Sequence, residues 1–229
     1  PIMDLLLFDY EDHMTNNIKI HSTATVNENA KIGSFTAIWH YSHVEMQAVI
    51  GENCNLGQNC YVGNNAVVGN GCRLGNSVSI FSNVVLEDYV FCAPFMVFTH
   101  IAFPRALVCR HDIFEKTIVR RGATLGANCT ITPGVTIEEG AFIGGGAVIT
   151  KDCKAWGLYV GVPAKHVGWV SALGEKINLP LHGTGEWNCQ KTGDNYILTG
   201  NNLERNSGPE DVLGYVPGKP LKRMEILGD

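Results

Sequence analysis

The chain contains no apolar run near the roughly 18 residues that cross a bilayer as a helix, and Leu5 to Phe8 is only a short patch. A helical membrane protein is thereby excluded, and the expected location is the cytoplasm, with no membrane partner. Charge is also scarce: 17% of residues are charged, with 17 Lys and Arg against 22 Asp and Glu and a net charge of −5. Without an overall basic field, nucleic acid is not an expected partner. The eight cysteines include no C-x-x-C pair that would argue for zinc. The hydrophobic pattern has neither the period of about 3.6 of a helix nor the strict alternation of an ordinary strand.

What is present is a six-residue beat. An aliphatic, aromatic or thiol side chain falls at every sixth residue fourteen times in a row, at Ile20, Val26, Ile32, Ile38, Val44, Ile50, Leu56, Val62, Val68, Leu74, Ile80, Leu86, Cys92 and Phe98. Gly often follows the large residue, as at Gly51, Gly57 and Gly75, and a small residue sits four places after it, as at Ala30, Cys54 and Cys60. This describes a short flat strand ending in a tight corner, where a small side chain fits inside and Gly is expected to supply positive φ. Such hexads stack coil on coil, each burying its apolar face against its neighbours. Three hexads per coil give eighteen residues per turn and roughly six or seven coils.

The beat breaks from His100 to Thr117 and resumes at Val119, Leu125, Ile131, Ile137, Ile143 and Ile149, so an insertion over 100–118 projects from one coil. Arg105, Arg110, Lys116, Arg120 and Arg121 lie in or beside it against only Asp112 and Glu115, a cationic loop suited to a phosphorylated small molecule. Cys54, Cys60, Cys72, Cys129 and Cys153 take the small inward place that Ala holds elsewhere and read as core thiols. Pro163 ends regular pairing and exposes Lys165 just beyond the last coil. The expected division is an extension over 1–13, since His13-Met14 resembles a cloning junction, a coil domain over 14–170 and an irregular C-terminal extension over 171–229. Open coil ends and flat faces need covering, so oligomerisation is expected.

The hexads, the run Thr117 to Asn128 and the segment Val160-Gly161-Val162-Pro163-Ala164-Lys165 resemble the left-handed parallel β-helix acyltransferases of hexapeptide repeats, over about Ile20 to Trp169. Within them, Ile38 to Val44, Met96 to His100 and Pro104-Arg105 resemble N-acetyltransferases acting on nucleotide-linked amino sugars. The type they resemble is the UDP-2-acetamido-3-amino-2,3-dideoxy-glucuronate N-acetyltransferases, which would imply a role in surface-polysaccharide, including lipopolysaccharide, biosynthesis. Gly168-Trp169-Val170, Gly174-Glu175 and the Cys189 to Tyr196 stretch echo its tail. The resemblance implies an all-β, left-handed coil, although crossovers are ordinarily right-handed. It also implies a homotrimer with active sites between subunits, acetyl-CoA as donor co-substrate and a UDP- or dTDP-linked amino sugar as acceptor. At the place of His100 the 3-amino-sugar enzymes usually carry Asn.

Residues eighteen apart stack in columns about 4.8 Å apart along the coil. Asn64, Ser82 and His100 share one column, with Phe81 and Thr99 in the adjacent one; His40, Gln58 and Asn76 share another, and Tyr41, Asn59 and Ser77 a third. For any single Asn or Ser, satisfying corner backbone groups is the simpler role. His100 stands apart, since its column ends where the insertion begins. An imidazole with an ordinary pKa near about 6.5 can accept the ammonium proton, whereas Asn only orients the amine. His100 is therefore the expected base or amine-positioning residue. The sugar nucleotide is assigned to Gln58, Asn59, Asn76, Ser79, Phe81, Ser82 and Arg105, the last suited to a diphosphate or a hexuronate carboxylate. The resemblance places CoA along Gly126, Ala127, Gly144 and Gly145, with Lys165 meeting a phosphate.

A 4-amino-sugar N-acyltransferase is the neighbouring alternative, and a non-catalytic scaffold using the flat faces is another. A zinc carbonic anhydrase on this fold needs three His ligands around an open position, and His40, His43 and His111 make no convincing triad, so no metal is expected.

Overall fold

A computed structural model describes residues 17–108, 115–208 and 219. The expected extension over 1–13, together with Cys109, Arg110, His111 and Asp112, lies outside the described residues. Regular structure among the described residues is entirely β, and each large residue of the beat closes a short strand, as in Ala37–Ile38, His43–Val44 and Val49–Ile50. Residues eighteen apart pair in parallel register: Ile38 with Leu56, Val44 with Val62, Ile50 with Val68. Three sheets result, of ten, seven and six strands. We call them face A (from Lys19–Ile20), face B (from Thr25–Val26) and face C (from Lys31–Ile32). The large residues fill the prism they enclose. Ile38 is 1% exposed, but Ile20, on the first of the described coils, is 39% exposed.

The glycine after each large residue has a different task from the expected one. Positive φ falls two residues later, at Asn53, Asn59 and Asn65, with φ of 58°, 56° and 58°. Asn tolerates that region because its short polar side chain bonds locally. The glycines are there for close approach: a Cβ on Gly51 would stand 2.7 Å from the amide nitrogen of Asn70, and one on Gly75 2.5 Å from that of Pro94. Any side chain would push the coils apart.

The small inward residues also bond the coils together. Thr36 Oγ1 donates to the Gly51 carbonyl at 2.7 Å and accepts the Cys54 amide at 3.0 Å; Ser42 does the same toward Gly57 and Cys60 at 2.9 and 3.1 Å. One coil on, thiols take over this role: Cys54 Sγ donates to Gly69 at 3.0 Å and Cys60 Sγ to Gly75 at 3.2 Å. The coil cysteines are thus buried core thiols as expected, and several are donors as well as fillers. Burial pushes the Cys60 thiol up to about 11 and those of Cys129 and Cys153 to about 12, which keeps them protonated.

Leu86 pairs with Val119, thirty-three positions on instead of eighteen, so one excursion adds fifteen residues between the face-B strand Val97–Phe98 and the face-C strand Thr117–Val119. The stack is otherwise continuous. After Ile149 the strand Gly157–Val160 extends face A in parallel, then Lys165–Val170 and Lys176–Ile177 add antiparallel strands. His166 stacks on Tyr159, ring centroids 5.1 Å apart, at the C-terminal end of the core.

Where the beat stops, regular structure continues. Gly183–Asn188, Asn195–Gly200 and Asn202–Asn206 form an antiparallel meander. Its signal is simple alternation: Tyr196 and Leu198 are buried, Ile197 and Thr199 exposed. They pack with Leu203, Trp169, Ile177 and Trp156 in a second core. Inside it Asp194 receives two bonds from Arg205, at 2.9 and 3.0 Å, and one from the Gly208 amide at 2.8 Å; the two charged side chains are 1% and 5% exposed. Burial alone would raise the carboxyl, but the Arg205 bonds and the Gly208 amide outweigh it and hold it below the usual carboxylate range.

With the folded value depressed, the stabilisation is present above the unfolded value and is lost as pH falls through the folded one. Asp194→Asn removes the carboxylate charge that Arg205 meets in this core, at a cost of up to roughly 3–5 kcal/mol. Denaturation followed by tryptophan fluorescence at neutral pH should show that loss. The difference from wild type should shrink in acid.

Candidate active site on face B

Face B carries two outward positions per coil. The first runs His43, Tyr61, Ser79 and Val97, paired across adjacent strands. The second, just beyond the inward residue, runs Glu45, Gly63, Phe81 and Thr99, and the corner toward face C then presents Asn64, Ser82 and His100. Phe81 and His100 lie 4.6 Å apart, ring to ring, with their planes inclined at 31°. Both are half-buried. Gly63 lets the Tyr61 ring lie down on the sheet, since a Cβ there would stand 3.3 Å from Tyr61 Cε1, and Tyr61 so comes within 6.0 Å of Phe81.

Ser79, Phe81, Ser82 and His100 are therefore brought together. Gln58, Asn59 and Asn76 are not in that group: they occupy the corner between faces A and B, six residues and up to about 20 Å of chain away. There, Asn76 Oδ1 accepts the Gln58 amide at 2.9 Å, and Asn59 holds the left-handed corner conformation at φ 56°. The simpler role weighed for corner Asn residues describes these two. Gly126, Ala127, Gly144 and Gly145 lie on the same corner, farther along the stack. A Cβ on Gly126 would stand 2.6 Å from the Gly145 amide nitrogen, while one on Gly145 would meet only the Ala127 carbonyl, at 3.3 Å. That stretch is a strip of bare backbone with Ala127 and Gly145 exposed.

Lys165 is exposed on the rim of a cavity of about 270 Å³ at the C-terminal end of the coils, shared with Lys151, Tyr159, Pro163 and Ala164. Arg105 is exposed on the insertion and its Nη1 donates to the neighbouring Pro104 carbonyl at 3.0 Å. The expected cationic loop is partly dispersed. Arg120 is bound to Glu87 at 2.7 Å on face C, and the Arg121 guanidinium lies over the Tyr89 ring, 5.4 Å from its centroid. Bonding to Glu87 raises the Arg120 value further. Sequence proximity to the insertion did not reveal that a single residue's step turns a side chain onto another face.

The histidines weighed as zinc ligands diverge: His40 stacks on His21 at 3.6 Å, His43 turns toward Glu45 at 3.3 Å on face B, and His111 is outside the described residues. Among the described residues no group of three or more His, Cys, Asp or Glu is placed to hold a metal, and no helix is long and apolar enough to cross a membrane. The sequence alone did not place His43, Glu45 and Tyr61 on the same face as Phe81 and His100, where the structure puts them. The eighteen-residue step from His43 through Tyr61 to Ser79 was the available signal.

A prism of parallel six-residue turns with small-residue corners defines a hexapeptide-repeat β-solenoid. The model of the bacterial transferase hexapeptide (six repeats) matches residues 47–82 and 116–151. The chain is 40% identical over 158 residues to the dTDP-3-amino-3,6-dideoxy-alpha-D-galactopyranose 3-N-acetyltransferase of Aneurinibacillus thermoaerophilus, covering 69% of this chain and 81% of that protein. It belongs to the hexapeptide-repeat transferases, the family of that N-acetyltransferase. A shorter match, 38% identical over 68 residues, covers 28% of this chain and 15% of the bifunctional protein GlmU of Thermotoga petrophila. Among solved structures, a mutant of AntD, an N-acyltransferase from Bacillus cereus in complex with dTDP and coenzyme A, aligns with a TM-score of 0.46 at 18% identity, over 66% of this chain and 80% of that chain.

If Asn76 serves the corner, Asn76→Ala should destabilise the fold by roughly 1 kcal/mol by leaving the Gln58 amide without its acceptor. Thermal denaturation checks it. A loss of acceptor binding with an unchanged Tm would instead show that Asn76 serves binding and not the corner.

Proposed function

We propose that the protein transfers an acetyl group from acetyl-CoA to the 3-amino group of a dTDP- or UDP-linked amino sugar, for use in a surface polysaccharide. The observation that carries this is the 40% identity spanning 81% of a dTDP-3-amino-sugar 3-N-acetyltransferase. The aromatic and imidazole cluster on face B supports it. The free amine adds to the thioester carbonyl, forming the C–N bond and a tetrahedral oxyanion, and collapse of that intermediate breaks the C–S bond and releases the CoA thiolate, which takes up the proton the amine has lost. His100 takes the proton from the attacking amine, and Phe81 beneath it offers an apolar surface to the sugar ring. Backbone N–H groups of the coils stabilise the tetrahedral oxyanion.

We assign CoA to the bare strip of Gly126, Ala127, Gly144 and Gly145, where the pantetheine arm reaches main chain, with Lys165 as a point charge for a phosphate. Ser79, Phe81, Ser82 and Arg105 take the sugar nucleotide. Gln58, Asn59 and Asn76 remain assigned to its corner-side edge through their exposed atoms. The assigned groups sit on two corners separated by the width of face B. A homotrimer that brings one subunit's face A–B corner to its neighbour's face B–C corner completes the site. We carry over left-handed coiling, a cytoplasmic location and the trimer from the family, and assign the chemistry to 14–170 and none of it to 171–229.

A thiol-release assay with acetyl-CoA across dTDP- and UDP-linked 3-amino and 4-amino sugars should show turnover on a 3-amino sugar; silence across the panel contradicts the proposal. His100→Asn should lower kcat/KM by about 10²-fold or more and flatten the acid side of the pH profile. An unchanged profile removes His100 from proton transfer. Gly145→Leu should fold once the Ala127 carbonyl, the one atom a Cβ there would crowd, yields by a few tenths of an ångström, while raising the KM for acetyl-CoA about tenfold. Equal KM values would place CoA elsewhere.

A further inference from the structure

The aromatic surface under the proposed amine site does not end at Phe81. Ring-centroid steps of 4.6, 6.0 and 6.0 Å lead from His100 through Phe81 and Tyr61 to His43, three coils away, or about 14 Å at roughly 4.8 Å per coil. At the far end stands Glu45, whose Oε1 lies 3.3 Å from His43 Nε2, with side chains 32% and 47% exposed. The same carboxylate faces the Tyr61 hydroxyl, where burial and its charge together hold the phenol above its usual range.

One acceptor is thus flanked by two donors, an imidazole N–H and a phenol O–H, at the edge of a ring surface. Uracil and thymine present the reverse order along one edge: carbonyl O4, N3–H, carbonyl O2. Cytosine puts an unprotonated ring nitrogen where they carry N3–H, so it would set lone pair against carboxylate. Guanine offers one carbonyl beside two donors. The distance to His100 has the scale of the hexose, diphosphate and ribose that separate a sugar amine from its base.

We infer that His43, Glu45 and Tyr61 form the base-recognition end of the acceptor site and select uridine or thymidine diphosphates: Glu45 accepts N3–H, and His43 and Tyr61 donate to the flanking carbonyls. This rests on reading the acceptor as a nucleotide-linked amino sugar, but it concerns the nucleotide alone. His43 Nε2 lies 3.3 Å from Glu45 Oε1, so the acceptor and one of its donors already stand side by side. The arrangement does not distinguish thymine from uracil, because the 5-methyl group lies off the recognised edge.

Calorimetric titration of the full-length protein with dTDP, UDP, CDP and GDP needs neither an amine nor acetyl-CoA. The expected result is that dTDP and UDP bind at least about tenfold more tightly than CDP and GDP. Glu45→Gln should weaken dTDP and UDP by about tenfold and narrow the gap to CDP, since a carboxamide also offers a donor to cytosine N3. Tyr61→Phe keeps the ring and removes the donor, and should give a smaller loss shared by dTDP and UDP. Circular dichroism establishes that each variant is folded, and the wild-type order stands as a test even if one is not. Equal affinity for CDP and UDP, no binding of any nucleotide, or an order unchanged by Glu45→Gln would overturn the inference. The expected order with no thiol release on any amino sugar would uphold it while removing the acetyltransferase reading.

Discussion

Everything in this molecule depends on the in-register parallel contact between one coil and the next. The Gly57 amide donates to Leu74 at 2.8 Å and the Gly75 amide to Cys92 at 2.7 Å, and this ladder survives only where no Cβ intervenes at the corner. Once the register is set, every outward residue has a neighbour eighteen positions away. A slip by one residue would turn the large inward side chains out of the core. The inward Thr, Ser and Cys side chains reinforce the same register by bonding to a carbonyl of the neighbouring coil.

Face B turns that regularity into a surface with chemistry. The repeat supplies columns, and breaks in residue size within a column supply shape: Gly63 is the gap into which Tyr61 leans, which is why His43, Tyr61, Phe81 and His100 form one strip across three columns. The insertion leaves the stack directly after this strip and returns on face C, so it borders the site without interrupting the core. The C-terminal module has its own core and its own buried ion pair, and meets the coils through Trp156 and Tyr89.

The coil was legible because a fixed interior volume admits only large residues at one position in six, and that pattern survives in a single sequence. The column of His100 was legible for the same reason, by counting eighteen. Asn59 and Asn76 were harder, since an Asn at a corner looks alike whether it faces a ligand or a backbone amide; Asn76 meets the Gln58 amide, which only the coil geometry shows. Arg120 and Arg121 looked like part of a cationic loop, yet they sit on the regular stack and are engaged by Glu87 and Tyr89. The meander over Gly183–Asn206 is invisible to a six-residue period because its signal is alternation by two, as in buried Tyr196 and Leu198 beside exposed Ile197 and Thr199.

The most direct measurement is a crystal structure of the protein with coenzyme A and a dTDP-linked 3-amino sugar. The sugar should lie along face B with its amine within hydrogen-bonding distance of His100, its ring over Phe81, and the CoA thiol approaching from the strip of Gly126 and Gly145. A nucleotide sugar bound on face A or face C, or an amine remote from His100, would contradict the assignment of face B as the catalytic surface.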